Sequence, residues 1–178
     1  ASYGEWPDLH GSASCVVPSL QESDCVDEAR QLPLLEALRE RVKEVGAGIE
    51  EMIASYGDTP SALGVMDMVW QLCPRIFLGA SNPVRIADLI AHRHENASGP
   101  TQVWSNRGLA GIDGNTSTAL GWASACARLE GADYSAVTAV MGDLTFLHDA
   151  SGLGLPRGEE FPSLRVIVLD DSGGSIFE

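Results

Sequence analysis

Aspartates follow two apolar runs in the second half of the chain, and glycines stand beside them. The run SAVTAVM is followed by Gly142 and Asp143, and the run SLRVIVL is followed by DDSGG at 170–174. If both runs are strands of one parallel sheet, their carboxyl ends meet at the same edge. Mg²⁺ takes oxygen ligands, commonly one or two carboxylates with phosphate and water completing its shell. The pattern therefore indicates a cation held against a phosphate by Asp143, Asp171 and the carbonyl of Gly173.

Aspartates at strand ends have a second common use. Their side chains accept hydrogen bonds from the backbone N–H groups of the turn or helix that follows. Asp143 and Asp170 both fit that use. The residue types and spacing alone leave the metal site and the capping role open.

Two further loops carry groups that bind anions. In GASNPVR, Ser81 stands before a helix with Pro83 in its first turn, and Arg85 opposes the helix dipole there. A bound anion would offset that opposition. In SNRGLAGIDG, glycines and Arg107 precede a helix. Such a loop can cradle an anion, although glycine loops are also ordinary connections.

The elements that must position these loops alternate along the chain. The strands are RIFLG, TQVWS, SAVTAVM and SLRVIVL, and the segments between them read as helices: PVRIADLIAH, TSTALGWASACARL and the short TFLHDASGLGL. The strands are unbroken apolar runs, which is typical of a parallel sheet covered on both faces. We therefore predict an α/β protein, a three-layer α/β/α fold with a mostly parallel sheet.

The first part of the chain shows a different pattern. Apolar residues recur at steps of three and four from Leu34 to Ile53, which predicts an amphipathic helix ending near Gly57. DTPSALGVMDMVWQL predicts a second helix, capped by Asp58 or Thr59 with Pro60 in its first turn. Before both helices, SCVVPSL suits one short strand.

Composition narrows the function classes. The formal net charge of −14 over 178 residues argues against a nucleic-acid or acidic-membrane partner. No stretch approaches the roughly 18 unbroken apolar residues of a membrane span. The first residues lack the basic and apolar regions of a signal peptide, and the four cysteines are far apart. We expect a cytoplasmic protein with reduced thiols.

The four loops together resemble a known family. GDL followed by a paired polar dipeptide and Gly-Gly is similar to the motif of thiamine diphosphate enzymes. FLGASNPVR, SNRGLAGIDGNTSTALG, GDLTFLHDASGL and GGSIFE together resemble the MenD-type 2-succinyl-5-enolpyruvyl-6-hydroxy-3-cyclohexene-1-carboxylate synthases of menaquinone biosynthesis. The resemblance is strong over residues 75–178 and weaker over 30–74.

The resemblance implies a reaction and its cofactors. These enzymes decarboxylate 2-oxoglutarate and add the resulting succinic-semialdehyde carbanion to isochorismate, with thiamine diphosphate as the electron sink. Mg²⁺ or Mn²⁺ anchors the diphosphate, and the enzymes are homo-oligomers, either dimers or tetramers. The resemblance thus implies a transferase of the carboligase type.

The resemblance also implies a role for individual residues, taken motif by motif. The metal ligands implied are Asp143, Asp171 and the carbonyl of Gly173. The cofactor-binding residues implied are Ser81, Ile112, Gly142, Asp143, Leu144, Gly173 and Gly174, with Ile112 as the apolar prop under the cofactor. The substrate-binding residues implied are Ser81, Arg85, Arg107, Ile176 and Phe177. No catalytic residue is expected in this chain, because the glutamate that activates the cofactor belongs to another domain of these enzymes.

Two features depart from the family pattern. The family usually has Asn where this chain has Asp171, and often at Asp170, so extra negative charge would stand beside an anionic diphosphate. Family chains are also much longer. We therefore expect residues 1–32 to be the tail of a middle domain, 33–57 a linking helix, and 58–178 a C-terminally incomplete diphosphate-binding domain that is inactive by itself.

Two other functions stay open on the sequence. One is a different thiamine diphosphate carboligase or decarboxylase, similar to acetohydroxyacid synthase. The other is a non-catalytic binding domain whose Asp-Asp loop no longer holds cofactor.

Overall fold

The computed structural model describes residues 28–91, 100, 102–106, 111–130, 136–155 and 158–174. Its contacts divide the chain into two compact units, Ala1–Arg41 and Val42–Glu178. The described part of the first unit is the beginning of one long helix, α1. The elements are α1 (Glu28–Ser55), α2 (Ala62–Leu72), β1 (Arg75–Leu78), α3 (Asn82–Ala91), β2 (Gln102–Ser105), α4 (Asn115–Glu130), β3 (Val137–Gly142), α5 (Asp143–His148), a 3₁₀ turn (Ala150–Leu153) and β4 (Leu164–Leu169).

The four strands form one parallel sheet in the order β2-β1-β3-β4. Leu78 of β1 pairs with Val140, and Gly142 pairs with Leu169. The two inner strands, β1 and β3, have a neighbour on each side and helices on both faces, and β3 is buried from Val137 to Met141. The predicted α/β fold with a parallel sheet is confirmed.

Side chains alternate between two apolar layers along the strands. Ile76, Leu78 and Val140 lie on one face in a cluster with residues of α2, α3 and the end of α1. Phe77 and Met141 lie on the other face with the small residues of α4. Helices therefore cover both faces of β1 and β3, which explains why these two strands read as continuous apolar runs. The edge strand β2 is instead exposed from Gln102 to Trp104. The arrangement agrees with the predicted three layers.

The strand order reverses at β1: the strand that follows β1 in the sequence lies on one side of it, and the next strand lies on its other side. The connection through α3 leads from β1 to β2 on one side, and the connection through α4 returns past β1 to β3 on the other side. The two connections cover opposite faces. The loops that leave β1 and β3 consequently diverge, and ligands of open α/β sheets bind in the crevice at that point.

The start of α2 differs from the sequence prediction. The N-cap is Ser61, whose hydroxyl accepts a hydrogen bond from the backbone N–H of Gly64 at 3.1 Å. The predicted caps Asp58 and Thr59 were wrong, and Pro60 lies before the helix. Ser61 caps because it has extended backbone angles at the position where its hydroxyl reaches the third helical N–H.

The end of α1 agrees with the pattern of its sequence. The helix ends at Ser55, and Gly57 follows in the left-handed region, with φ 56°. Its N–H donates to the carbonyl of Ala54 at 3.1 Å. The strand suggested for SCVVPSL lies outside the described residues, and the domain limits proposed at 32 and 57 stay predictions.

Two smaller expectations concern the thiols and a membrane. Cys73 and Cys126 are buried free thiols, and the other two cysteines lie outside the described residues. Across the part of the chain that the structure describes, none of the helices combines the length and apolar character needed to cross a membrane.

A close approach of β1 and β3 gives the first testable prediction. A Cβ at Gly79 would lie 2.6 Å from the Met141 Cβ, so Gly79→Ala should lower the free energy of unfolding by about 1–3 kcal/mol. Gly48→Ala is the control, because Gly48 is helical and a Cβ there would meet no atom within 4 Å, so alanine should add up to about 1 kcal/mol. Urea denaturation measures both. Equal stability of the two variants would contradict the packing described.

Candidate functional site

A cleft of about 320 Å³ opens where the loops after β1 and β3 diverge. Its described lining comes from four main places: the start of α3, the end of β3 with α5, the end of β4, and the loop before α4. The lining residues are Ala62, Ala80, Ser81, Asn82, Pro83, Ile86, Ile112, Gly142, Asp143, Leu144, Thr145, Leu169, Asp170, Asp171 and Gly174. This volume suits a small-molecule ligand.

Strand register brings the acidic residues to this cleft. Gly142 and Leu169 are paired, so Asp143 and Asp170 leave the sheet at the same level on neighbouring strands. Asp143, Asp170 and Asp171 all line the cleft. The prediction that two strand ends deliver carboxylates to one place is therefore realised in the fold.

The loop after β4 is folded by its own carboxylates. The Asp170 Oδ1 accepts from the Ser172 N–H, and the Asp171 Oδ1 accepts from the Gly174 N–H, each at 2.8 Å. The capping role left open by the sequence is thus present at Asp170, and Asp171 plays it as well. An Asn side chain offers the same Oδ1 acceptor, so the second negative charge is not needed to shape this loop. At Asp143 that alternative was wrong, because Asp143 is the first residue of α5, whose N-cap is Gly142, and no side chain caps this helix.

Ser81 lies at the other wall of the cleft with an unusual backbone. Its φ is 77°, in the left-handed region that a residue with a Cβ seldom adopts. α3 begins at the next residue, so the backbone N–H groups of its first turn lie at the cleft wall. Ser81 is half-buried there.

Arg85 lies in the first turn of α3 but is exposed and does not line the cleft. Its Nη1 donates to the Asn82 Oδ1 at 3.3 Å. A side chain of the cleft wall thus orients the guanidinium, which stays at the rim.

Ile112 reaches the cleft on a loop that two amide side chains hold. The Asn115 Nδ2 donates to the Ile112 carbonyl at 2.8 Å, and the Asn106 Nδ2 donates to the Gly114 carbonyl at 3.4 Å. Asn115 is fully buried at the start of α4. Sequence reasoning identified Ile112 but missed the amides that fix its loop.

The glycines of the two motifs have different environments. A Cβ at Gly174, where φ is 83°, would lie 2.7 Å from the Leu144 Cδ1, so the second motif packs on the first. Gly142 has ordinary angles, φ −73° and ψ 163°, and a Cβ there would meet no atom within 4 Å. The fold therefore requires no glycine at 142, although this residue lines the cleft.

The remaining predicted site residues divide into two groups. Gly173 has φ 120° and lies between two lining residues without lining the cleft itself. Arg107, Ile176 and Phe177 lie outside the described residues. Their predicted roles stay predictions.

Several lining residues were not identified from the sequence. They are apolar or small side chains, namely Ala62, Ile86, Thr145 and Leu169. Leu169 directly precedes the Asp-Asp pair. Only the packing of α2 and α3 against the strand ends shows that Ala62 and Ile86 contribute.

The donor set suits a cation that brings ligands of its own. Among the described residues, no three His, Cys, Asp or Glu side chains are grouped closely enough to hold a metal ion. Asp143 and Asp171 line the cleft with carboxylates, the type of ligand of which Mg²⁺ commonly takes one or two, with phosphate and water completing its shell.

The backbone of Ser81 gives a second prediction. Glycine adopts a positive φ without the Cβ penalty, so Ser81→Gly should leave the free energy of unfolding unchanged or raise it by up to about 1 kcal/mol. Ser172→Gly is the matched control, because Ser172 has φ 67° but does not line the cleft. Thermal and urea unfolding report both. A marked loss of stability in Ser81→Gly would show that the side chain is needed for folding.

Comparison with known proteins identifies several relatives that share one name. No protein-family model matches the chain. The chain is 46% identical over 123 residues to the 2-succinyl-5-enolpyruvyl-6-hydroxy-3-cyclohexene-1-carboxylate synthase of Renibacterium salmoninarum, which is 69% of this chain and 20% of that protein. It is 47% identical over 131 residues to the synthase of the same name from Paenarthrobacter aurescens, 73% of this chain and 21% of that protein.

A third relative extends the match to almost the whole chain. The synthase of that name from Mycobacterium sp. (strain KMS) is 38% identical over 177 residues, 97% of this chain and 30% of that protein. The chain thus spans less than a third of the length of these relatives. The resemblance read from the motifs is confirmed: this chain is related by sequence to a segment of the 2-succinyl-5-enolpyruvyl-6-hydroxy-3-cyclohexene-1-carboxylate synthases.

Proposed function

We propose that this chain is the diphosphate- and Mg²⁺-binding part of a 2-succinyl-5-enolpyruvyl-6-hydroxy-3-cyclohexene-1-carboxylate synthase. The observation that carries the proposal is the convergence of Asp143 and Asp171 on one cleft, in a chain related to synthases of that name. Ser81 and Ile112 line the same cleft from two other loops. Four sequence motifs that are distant along the chain therefore meet in one place.

The cleft supplies ligands for the metal ion and backbone groups for the diphosphate of the cofactor. Asp143, Asp171 and the Gly173 carbonyl hold Mg²⁺ or Mn²⁺, and the cation neutralises the diphosphate. Bare backbone at Gly142 and Gly174 lets the phosphate groups approach closely. N–H groups of the first turn of α3 add favourable dipoles for an anion.

The apolar part of the cleft places the rest of the cofactor. Ile112 and Leu144, which is 48% exposed, would contact the ring system of the cofactor. Asn115 and Asn106 fix the loop of Ile112, so this support is rigid. When bound, thiamine diphosphate supplies the electron sink for decarboxylation of a 2-oxo acid.

Residues at the rim of the cleft recognise the substrates. Arg85 and Arg107 bind carboxylates of 2-oxoglutarate and isochorismate, because a guanidinium pairs with a carboxylate through two hydrogen bonds. Asn82 holds Arg85 at the rim, and Ser81 orients the substrate. Ile176 and Phe177 form the apolar side of the substrate pocket.

The complete protein joins the two substrates with loss of CO₂ in menaquinone biosynthesis. It acts as a cytoplasmic homo-oligomer, a dimer or a tetramer. Residues 1–178 by themselves supply the diphosphate site and do not catalyse the reaction.

Binding of the cofactor gives a third prediction. Titration with thiamine diphosphate, followed by tryptophan fluorescence, should saturate with Mg²⁺ and not without it. Asp143→Asn should weaken this binding at least about tenfold, since it removes a charged metal ligand. Asp88→Asn is the control, because Asp88 is exposed on α3 away from the cleft and the charge change is identical.

The Asp171→Asn variant tests the departure from the family pattern. We expect its affinity to stay within about threefold of the wild type, because the family that this chain resembles usually has Asn at this position and Asn keeps the acceptor for the Gly174 N–H. Tighter binding of thiamine diphosphate by this variant would show that the negative charge of Asp171 weakens cofactor binding in the wild type. Mg²⁺-independent binding, or equal binding by Asp143→Asn, would contradict the proposed site.

The open space at Gly142 gives a fourth prediction. Gly142→Ala should fold normally and gain up to about 1 kcal/mol of stability, since its backbone angles suit alanine and its Cβ meets nothing. The added methyl group should nevertheless weaken Mg²⁺-dependent binding of thiamine diphosphate. The matched control is Gly48→Ala, which lies on α1 away from the cleft. Unchanged cofactor affinity in Gly142→Ala would show that the phosphates lie elsewhere.

A further inference from the structure

A second cavity, of about 370 Å³, lies between the edge strand β2 and α4. It shares no described lining residue with the cleft at the strand ends. The proposed function makes no use of it.

The cavity is walled by aromatic side chains. Phe77, which is 1% exposed, belongs to the sheet beneath it, and the rings of Trp104 and Trp122 stand with centroids 5.9 Å apart and planes tilted by 50°. Trp104 is 61% exposed on the edge strand. Two indoles at a cavity this open present π faces on which another flat ring can stack.

One polar group in the lining lacks a partner. The Ser105 Oγ is buried and forms no hydrogen bond in the described structure. Two neighbouring polar side chains of the lining are hydrogen-bonded to each other, because the Asn106 Nδ2 donates to the Thr118 Oγ1 at 3.0 Å. A buried hydroxyl without a partner is unfavourable, so a bound molecule that offers one hydrogen-bonding group would be favoured here.

The packing of the fold does not require a glycine at Gly121, which lies at the cavity wall. Gly121 lies in the interior of α4, where glycine is less favourable than alanine, and a Cβ there would meet no atom within 4 Å. Packing against the protein therefore does not exclude a side chain at this position. The missing side chain leaves the cavity open.

We propose that this cavity binds a neutral, planar molecule of one or two fused rings that carries one hydrogen-bonding group. The ligand is expected to be flat because two indole rings wall the cavity, and its size is set by the cavity volume of about 370 Å³. Neutrality follows because no described lining residue is ionisable, so a charged ligand would lose hydration without a compensating partner. The hydrogen-bonding group meets Ser105. This site is independent of the proposed cofactor cleft.

The test uses this chain with phenol as the probe, observed through the indole N–H signals of a ¹H–¹⁵N spectrum. Phenol should shift the signals of Trp104 and Trp122 with a dissociation constant of about 1 mM, a common value for so small a ligand. Cyclohexanol has similar size but is not planar, and benzoate is planar but charged. Both should bind at least about tenfold more weakly than phenol.

Two variants locate the bound probe. Ser105→Ala removes the hydroxyl and should weaken phenol binding about threefold to tenfold, as expected for one neutral hydrogen bond. Gly121→Leu fills the cavity and should abolish binding, whereas Gly48→Leu places the same side chain on an exposed helical surface away from it and should not. If Gly121→Leu fails to fold, Gly121→Ala and Ser105→Ala decide the question.

Three results would overturn the proposal. Absence of shifts with phenol in the wild-type chain is the first, and equal binding of phenol, cyclohexanol and benzoate is the second. The third is a decrease in oligomeric mass of Gly121→Leu in light scattering, since the cavity would then be a contact between protein surfaces. Cofactor binding by Asp143→Asn or Gly142→Ala is measured separately, so neither result depends on the other.

Discussion

The register between β3 and β4 is the constraint on which the rest of the site depends. Gly142 pairs with Leu169, so the residues that follow leave the sheet side by side. A shift by one residue would turn every side chain of β4 to the opposite face and separate the two acidic motifs. This register packs Val166 of β4 against one apolar layer and Ile167 against the other.

Burial of the sheet and exposure of the loops are two consequences of one topology. The reversal of strand order beside β1 sends α3 and α4 to opposite faces, and this opens a crevice between the loops after β1 and β3. The helices need small residues to lie close to the strands, and α4 accordingly places Ala119 and Ala123 in the core. The same helix begins at the loop that presents Ile112, so sheet packing and site geometry are coupled.

The cleft at the strand ends and the cavity beside β2 differ in chemistry because they lie at different parts of the sheet. The cleft at the strand ends gathers carboxylates and bare backbone, which suit a cation and a phosphate. The cavity beside β2 lies along the edge strand, where aromatic side chains replace a covering helix. Its lining carries no ionisable group among the described residues, so it selects by shape and by a single hydrogen bond.

The sequence by itself determined the alternation of elements, the parallel sheet and the residues of the acidic motifs. Periodicity and unbroken apolar runs are local properties, and so are the glycines beside Asp143 and Asp171. Only the tertiary structure decided which loops share the cleft, because strand order and register depend on packing between distant segments. It also decided that Ser61 caps α2, that Ser81 has a left-handed backbone, and that Arg85 stays at the rim. These features depend on contacts that no local pattern records.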